Sequence, residues 1–259
     1  FSVISTALGA ECRGGAYYRT SAGSFGVVAG TATALFKLNT SASPYTWDNY
    51  TGSSIPAVPA GHLWQFERFG TGLYACNLGT PLQVLDVDSG VAFADVAGTP
   101  PNSKFIGTVG DFLILGYLRI GATEYPTTWR TSGINRPTVW TTGTNLADEQ
   151  VIPDGDEITG IMGGRLGGRV FQRSAKRRLL ISQDLSMPIK METLDPKFGF
   201  IAPYSIVILG GDDYMGLSHD GFRRGDGHEP IGAERVNRTF IAQVHTDKLY
   251  EVQGVVDPF

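Results

Sequence analysis

The sequence is poor in the residues that build most redox and metal sites. Only two cysteines, Cys12 and Cys76, occur in 259 residues, too few for a disulfide framework or a four-cysteine zinc cluster. The four histidines, His62, His219, His228 and His245, keep no i, i+4 pair and have no flanking metal-ligand cluster, so they read as scattered surface residues. Charge is sparse too: 18% of residues are Asp, Glu, Lys or Arg, with a net of −4. That excludes a generally basic nucleic-acid binder and leaves local patches open.

The longest strongly apolar stretch, Phe112 to Leu118, falls far short of the roughly 20 residues of a membrane-spanning helix, and a soluble protein is expected. Helical spacing of apolar residues is almost missing, because Gly or Pro interrupts most windows. The first residue is Phe rather than Met and no leader pattern precedes the fold, so the chain is read as trimmed or as a segment of something longer.

Glycine is abundant, with 34 in 259 residues, about 13% against a typical 7%. The glycines keep no three-residue period, which excludes collagen, and 42% apolar residues exclude a disordered chain. Short runs rich in β-branched and aromatic residues fill the sequence, among them Phe25 to Ala29, Leu82 to Val87, Phe105 to Val109 and Ile206 to Leu209. Each is bounded by turn residues, which predicts an all-β chain.

One piece recurs: an apolar strand, a tight Gly/Asp turn and a second apolar strand. Its turns lie at Gly23, Gly70, Gly110, Gly164 and Gly211, giving steps of 47, 40, 54 and 47 residues. Each step has room for four short strands, the sequence signature of a β-propeller built of four-stranded antiparallel blades. A sandwich or two barrels also place turns every 8 to 12 residues, but neither calls for the longer repeat. The expected organisation is one propeller domain, or most of one, over residues 1–259, with blades at 12–52, 62–98, 103–145, 156–196 and 203–240. Tyr250 to Asp257 resembles the first strand and turn of a sixth unit, placed at 248–259, so the chain is expected to be cut from a longer ring-forming protein.

Few patterns carry chemistry. Asp212-Asp213, His219-Asp220 and Asp226-Gly-His228-Glu229 form the densest acidic and histidine neighbourhood. Its oxygens suit Ca²⁺ in principle, but the spacing is not that of an EF-hand, and hairpin Asx turns explain it better. Ser218-His-Asp220-Gly221, with a fainter echo in Ser182-Gln-Asp184, resembles the Asp-box of sialidase-type propellers, itself a structural turn. Gly163 to Gly168 lacks the Lys-Ser/Thr ending of a phosphate-binding loop. No Ser-His-Asp order, Cys-His pairing or Gly-x-Ser-x-Gly elbow is present, so no catalytic, cofactor-binding or metal residues are assigned and an enzyme is not expected. The sharpest feature is a basic run, Arg165, Arg169, Arg173, Lys176, Arg177 and Arg178. Strand alternation puts Arg169, Phe171 and Arg173 on one side, giving a ridge that would meet an acidic surface or phosphates.

Several strings together resemble a known family: Cys12-Arg-Gly14, Ala29 to Leu38, Trp64-Gln-Phe-Glu-Arg-Phe-Gly70, Phe93 to Gly98, Asp148 to Pro153, Asp156 to Gly164, Ile201-Ala-Pro203, and Ser218 to Phe222 with Pro230 to Val236. The series is similar to bacteriophage proteins that build the tail hub or nozzle below the portal, the class of packaged-DNA stabilisation and tail tubular proteins. The resemblance implies a structural virion protein of the tail, made in the bacterial host cytoplasm and assembled as a homo-oligomer of about six copies. It further implies contacts with other tail or portal-adaptor proteins, and passage of double-stranded DNA without sequence-specific binding. The basic run would then be a subunit-contact ridge. A carbohydrate-binding or glycoside-cleaving propeller is the competing expectation, motivated by Trp47, Tyr50, Trp129 and Trp140 as aromatics able to stack on sugars.

Overall fold

The structure, a computed structural model, describes residues 5–41, 43–232 and 236–256. Five four-stranded antiparallel sheets account for its strands. The first holds β1 (Gly15–Arg19), β2 (Phe25–Gly30), β3 (Leu35–Asn39) and β4 (Thr46–Asn49). The second holds β5 (Gln65–Phe69), β6 (Gly72–Asn77), β7 (Thr80–Asp86) and β8 (Ala94–Asp95). The third comprises β9 (Asn102–Val109), β10 (Phe112–Ile120), β11 (Thr123–Thr131) and β12 (Glu149–Val151). The fourth comprises β13 (Ile158–Met162), β14 (Gly167–Gln172), β15 (Lys176–Ile181) and β16 (Ile189–Asp195). The fifth is formed by β17 (Val207–Gly210), β18 (Asp213–Ser218), β19 (Gly221–Arg224) and β20 (Glu229–Pro230), and α1 (Val236–Gln243) follows it. In every sheet, spatial order is chain order. The fold is all-β, of five β-propeller blades, as the repeat predicts.

All five repeat glycines fall in the first hairpin of their sheets. Gly70 sits at φ +59° with open space where a Cβ would be, and Gly110 at φ +55° faces the Ile181 side chain. A left-handed turn residue favours glycine, and Gly23 and Gly211 share that backbone, whereas Gly164 does not.

The chain divides into two compact units, Phe1–Ile106 with Arg119–Thr123, and Gly107–Leu118 with Glu124–Phe259. The first unit contains sheets one and two around Tyr18, Val28, Leu35, Trp64, Leu73, Leu85 and Phe93. The second contains sheets four and five. One of its cores is Met162, Phe171, Phe200 and Tyr214, and another is Ala202, Leu217 and Leu249 with Phe222 and Phe240 against them.

Two expectations are corrected at the C-terminal end. Strands of the fifth blade stop at Pro230, and residues 236–243 are helical, where a blade was expected to run to 240. The sixth-unit strand expected at 248–259 is not found among the described residues: Thr246–Glu251 is a 3-10 helix and 252–256 are irregular. Leu249 is buried with Ala202 and Leu217, and Val252 packs on the same cluster. The apolar residues read as a strand therefore serve to cover the fifth sheet. Residues 257–259 lie outside the described residues. Among the described residues no helix is long and apolar enough to cross a membrane.

Candidate functional site

The basic run and the acidic neighbourhood, about 50 residues apart in sequence, are two halves of one polar cluster. In the antiparallel register of the fourth sheet, Arg169 on β14 stands opposite Arg178 on β15. Two guanidiniums side by side repel unless a carboxylate lies between them, and Asp226 from the turn after β19 supplies it. Its Oδ1 accepts from Arg169 Nε at 3.0 Å and its Oδ2 from Arg169 at 2.9 Å. Arg178 adds a contact at 3.2 Å, and the Tyr214 hydroxyl donates at 2.6 Å. Burial alone would raise the Asp226 pKa, but the Arg169 and Tyr214 hydrogen bonds prevail and hold it down at about 2. The Tyr214 phenol is pushed upward by burial and by the same carboxylate. Bidentate pairing with arginine adds geometric specificity to this joint.

Lys176, at the start of β15, is fully buried. Its Nζ donates to the Gly225 carbonyl at 2.9 Å and lies 3.2 Å from His228 Nδ1. The ammonium also faces the rings of Phe200 at 5.1 Å and Tyr214 at 5.7 Å, an arrangement that replaces part of its lost hydration. Burial pulls the Lys176 pKa down, and Asp195, its partner across β16, acts against that. His228 Nε2 lies 3.1 Å from Asp220 Oδ1, and Asp220 also accepts from Arg223 at 2.6 Å. Burial, followed by the Lys176 charge, lowers the His228 pKa. Phe198, in the crossover from β16 to β17, stacks on His228 at 4.3 Å and on His219 at 5.4 Å.

The six basic residues therefore do not form one exposed ridge. Arg169, Lys176 and Arg177 are buried, and Phe171, expected beside them on a solvent face, is a core residue. Arg177 is held inside its own sheet: Nε donates to Gln172 at 2.7 Å, one terminal nitrogen donates to Thr193 at 2.9 Å, and the other meets Asp154. Arg173 lies beyond β14 and pairs with Glu157 at 3.0 Å, while Arg165 is exposed beside Leu166 and Ile181. Arg178 is partly exposed. The alternation rule failed at Arg173 because β14 ends at Gln172.

Three carboxylates of the acidic neighbourhood are likewise committed to cations, while Asp212 and Glu229 are exposed. Asp213 pairs with Arg224, Asp220 with Arg223 and Asp226 with Arg169. Among the described residues no group of three or more His, Cys, Asp or Glu side chains is placed to hold a metal ion. His228 is a correction to the reading of all four histidines as surface residues, since its side chain is only 10% exposed. Ser218 to Gly221 forms the β18–β19 turn, and Ser182-Gln-Asp184 turns through Asp184 capping Ser186. Of the four aromatics proposed for sugar stacking, Trp129 and Trp140 are buried, and Trp47 and Tyr50 are partly so.

The site is thus a charge-satisfied fastening between two blades. No protein-family model and no curated protein matches this chain. Among solved structures it is similar to YCF48 from Cyanidioschyzon merolae, at 9% identity and a TM-score of 0.45, over 78% of this chain and 66% of that one. It is similar also to YCF48 bound to D1 peptide, at 9% identity and a TM-score of 0.45, over 82% of this chain. This chain spans 66% and 65% of the lengths of those two structures.

Proposed function

We propose that this chain is a structural protein of a bacteriophage tail, a hub or nozzle subunit that forms a ring of about six copies below the portal. In that role it retains packaged DNA and conducts it during ejection. The observation that carries the reading is where the family-like strings fall. Trp64 to Gly70 supplies a buried tryptophan, strand β5 and its turn, and Ala29 to Leu38 joins β2 to β3. Ile201 to Pro203 places Ala202 in the core under the fifth sheet, and Phe93 is buried in the first unit. These residues build the propeller's own cores, so the strings that carry the resemblance are structural ones, in keeping with a structural protein.

Two surface features support the same reading. Tyr17, Phe25 and Val27 share one face of the β1–β2 hairpin at 75%, 71% and 38% exposure, and apolar surface of this kind is what subunit contacts bury. Arg165 and the partly exposed Arg173 and Arg178, which are paired to Glu157 and Asp226, are the members of the basic run that reach the surface. The acidic net charge suits a DNA conduit, because strong Lys/Arg contacts would hold the duplex through counterion release. Native mass measurement with negative-stain imaging of the purified protein tests the proposal. A closed ring of about six copies is expected. A monomer that binds glycans would replace this reading with the carbohydrate one.

A further inference from the structure

The hydrogen-bond directions around His228 leave no place for a second proton. Asp220 is a carboxylate beside Nε2 at 3.1 Å, so Nε2 carries the hydrogen and donates it. Nδ1 is then the unprotonated nitrogen, and it accepts from the Lys176 ammonium at 3.2 Å. Protonating His228 would put an N–H on Nδ1, aimed at an ammonium buried at 0% exposure. Two like charges at that distance, with both hydrogens directed at each other, are strongly disfavoured where water cannot intervene. The backbone marks the same residue: His228 sits at φ +55°, a left-handed conformation that strains a non-glycine residue and that tertiary contacts must hold.

We propose that Lys176 and His228 form an acid-operated latch on the crossover between the fourth and fifth sheets. With His228 neutral, its ring is the platform on which Phe198 stacks, and Phe200, two residues on, packs beneath the Lys176 ammonium. Protonation drives the imidazolium away from Lys176, the platform turns, and the segment from Phe198 to Phe200 loosens. The groups facing His228 are Asp220 beside Nε2, Lys176 from β15, Arg223 from β19 through the His228 carbonyl at 3.5 Å, and the Phe198 ring. Behind Lys176 stand Asp195 and Asp226. Among the described residues Asp220 is the one group in contact with the ring that favours its charged form, and burial with Lys176 outweighs it.

The sign follows. A histidine held below its ordinary 6.5 contributes stability above that pH and loses it as pH falls through the lowered native value. Histidine-labelled NMR on the full chain tests the latch. Wild-type His228 is expected to show the Nε2–H tautomer and a midpoint below 6.5, Lys176→Met to raise that midpoint, and Asp220→Asn to lower it further. Hydrogen exchange at 198–200, corrected for intrinsic rates, is expected to rise severalfold through the same midpoint in wild type and not in His228→Gln. A midpoint at or above 6.5, one that neither substitution moves, or exchange at 198–200 that ignores the titration overturns the proposal.

Discussion

Sheets one and two are joined by an aromatic plug, and sheets four and five by an aromatic cluster with buried charges beside it. In the first joint Trp64 is 2% exposed, and its indole Nε1 donates to the Thr31 carbonyl at 2.9 Å. Gly30 exists for it: a Cβ there would collide with the indole ring. Tyr18, Val28 and Leu35 from the first sheet and Leu73 and Leu85 from the second complete the contact. The second joint has an aromatic cluster of its own, Phe171, Phe200 and Tyr214, and adds Arg169, Asp226, Lys176 and His228 beside it. An apolar joint gains in proportion to area and asks little of geometry. A buried ionic joint gains only when every partner is present, and it fixes one arrangement of the two sheets. Acid can reach the second joint and has nothing to titrate in the Trp64 plug.

The largest effect is expected from Trp64→Ala. It removes the plug and strands the Thr31 carbonyl, for a loss of about 4 kcal/mol. Urea unfolding should show that loss equally at neutral and mildly acidic pH. A loss under about 1 kcal/mol would mean that the first joint does not depend on the plug.

Asp226→Asn should come next, at about 3 kcal/mol, because Arg169, with a side chain only 7% exposed, loses its counter-charge in a site that water reaches poorly. Asp226 is held at about 2 against an ordinary 3.8, so its contribution is complete above the ordinary value and fades as pH falls toward the native one. The difference between wild type and variant, read by urea unfolding, should therefore persist at neutral pH and shrink in strong acid. High salt should change it little, since buried pairs are weakly screened. A difference that salt abolishes would recast the second joint as a surface contact.

The two joints were unequally legible in the sequence. The turn glycines revealed the five sheets because four of the five first hairpins place a glycine at positive φ, and local demands repeat in sequence. Trp64 belongs to a string that stood out, and its role is apolar packing, which composition and spacing convey well. The ionic joint pairs Arg169 with a residue 57 positions away. Strand alternation assigns faces within one sheet and says nothing about which turn of another sheet will cover them. The basic run therefore read as an exposed ridge and the acidic turn as a separate feature. The short apolar pattern around Leu249 and Val252 was ambiguous for a different reason, since so few residues fit a strand and a single helical turn alike.

The sharpest boundary on the comparison is set by Arg173, only four positions from the buried Arg177. Its guanidinium meets Glu157 at 3.0 Å, yet the two side chains are 47% and 28% exposed. An ion pair in that setting gains little attraction through water and orders two long side chains, so Arg173→Ala should cost no more than about 0.5 kcal/mol. Added salt should erase even that. A double-mutant cycle with Glu157→Ala reads the coupling directly. If it came out as large as the loss in Asp226→Asn, burial would not be what separates a structural charge from a decorative one here. A near-zero coupling would make Arg173 an ordinary surface cation, while Arg169 and Arg177 remain bound to their own fold.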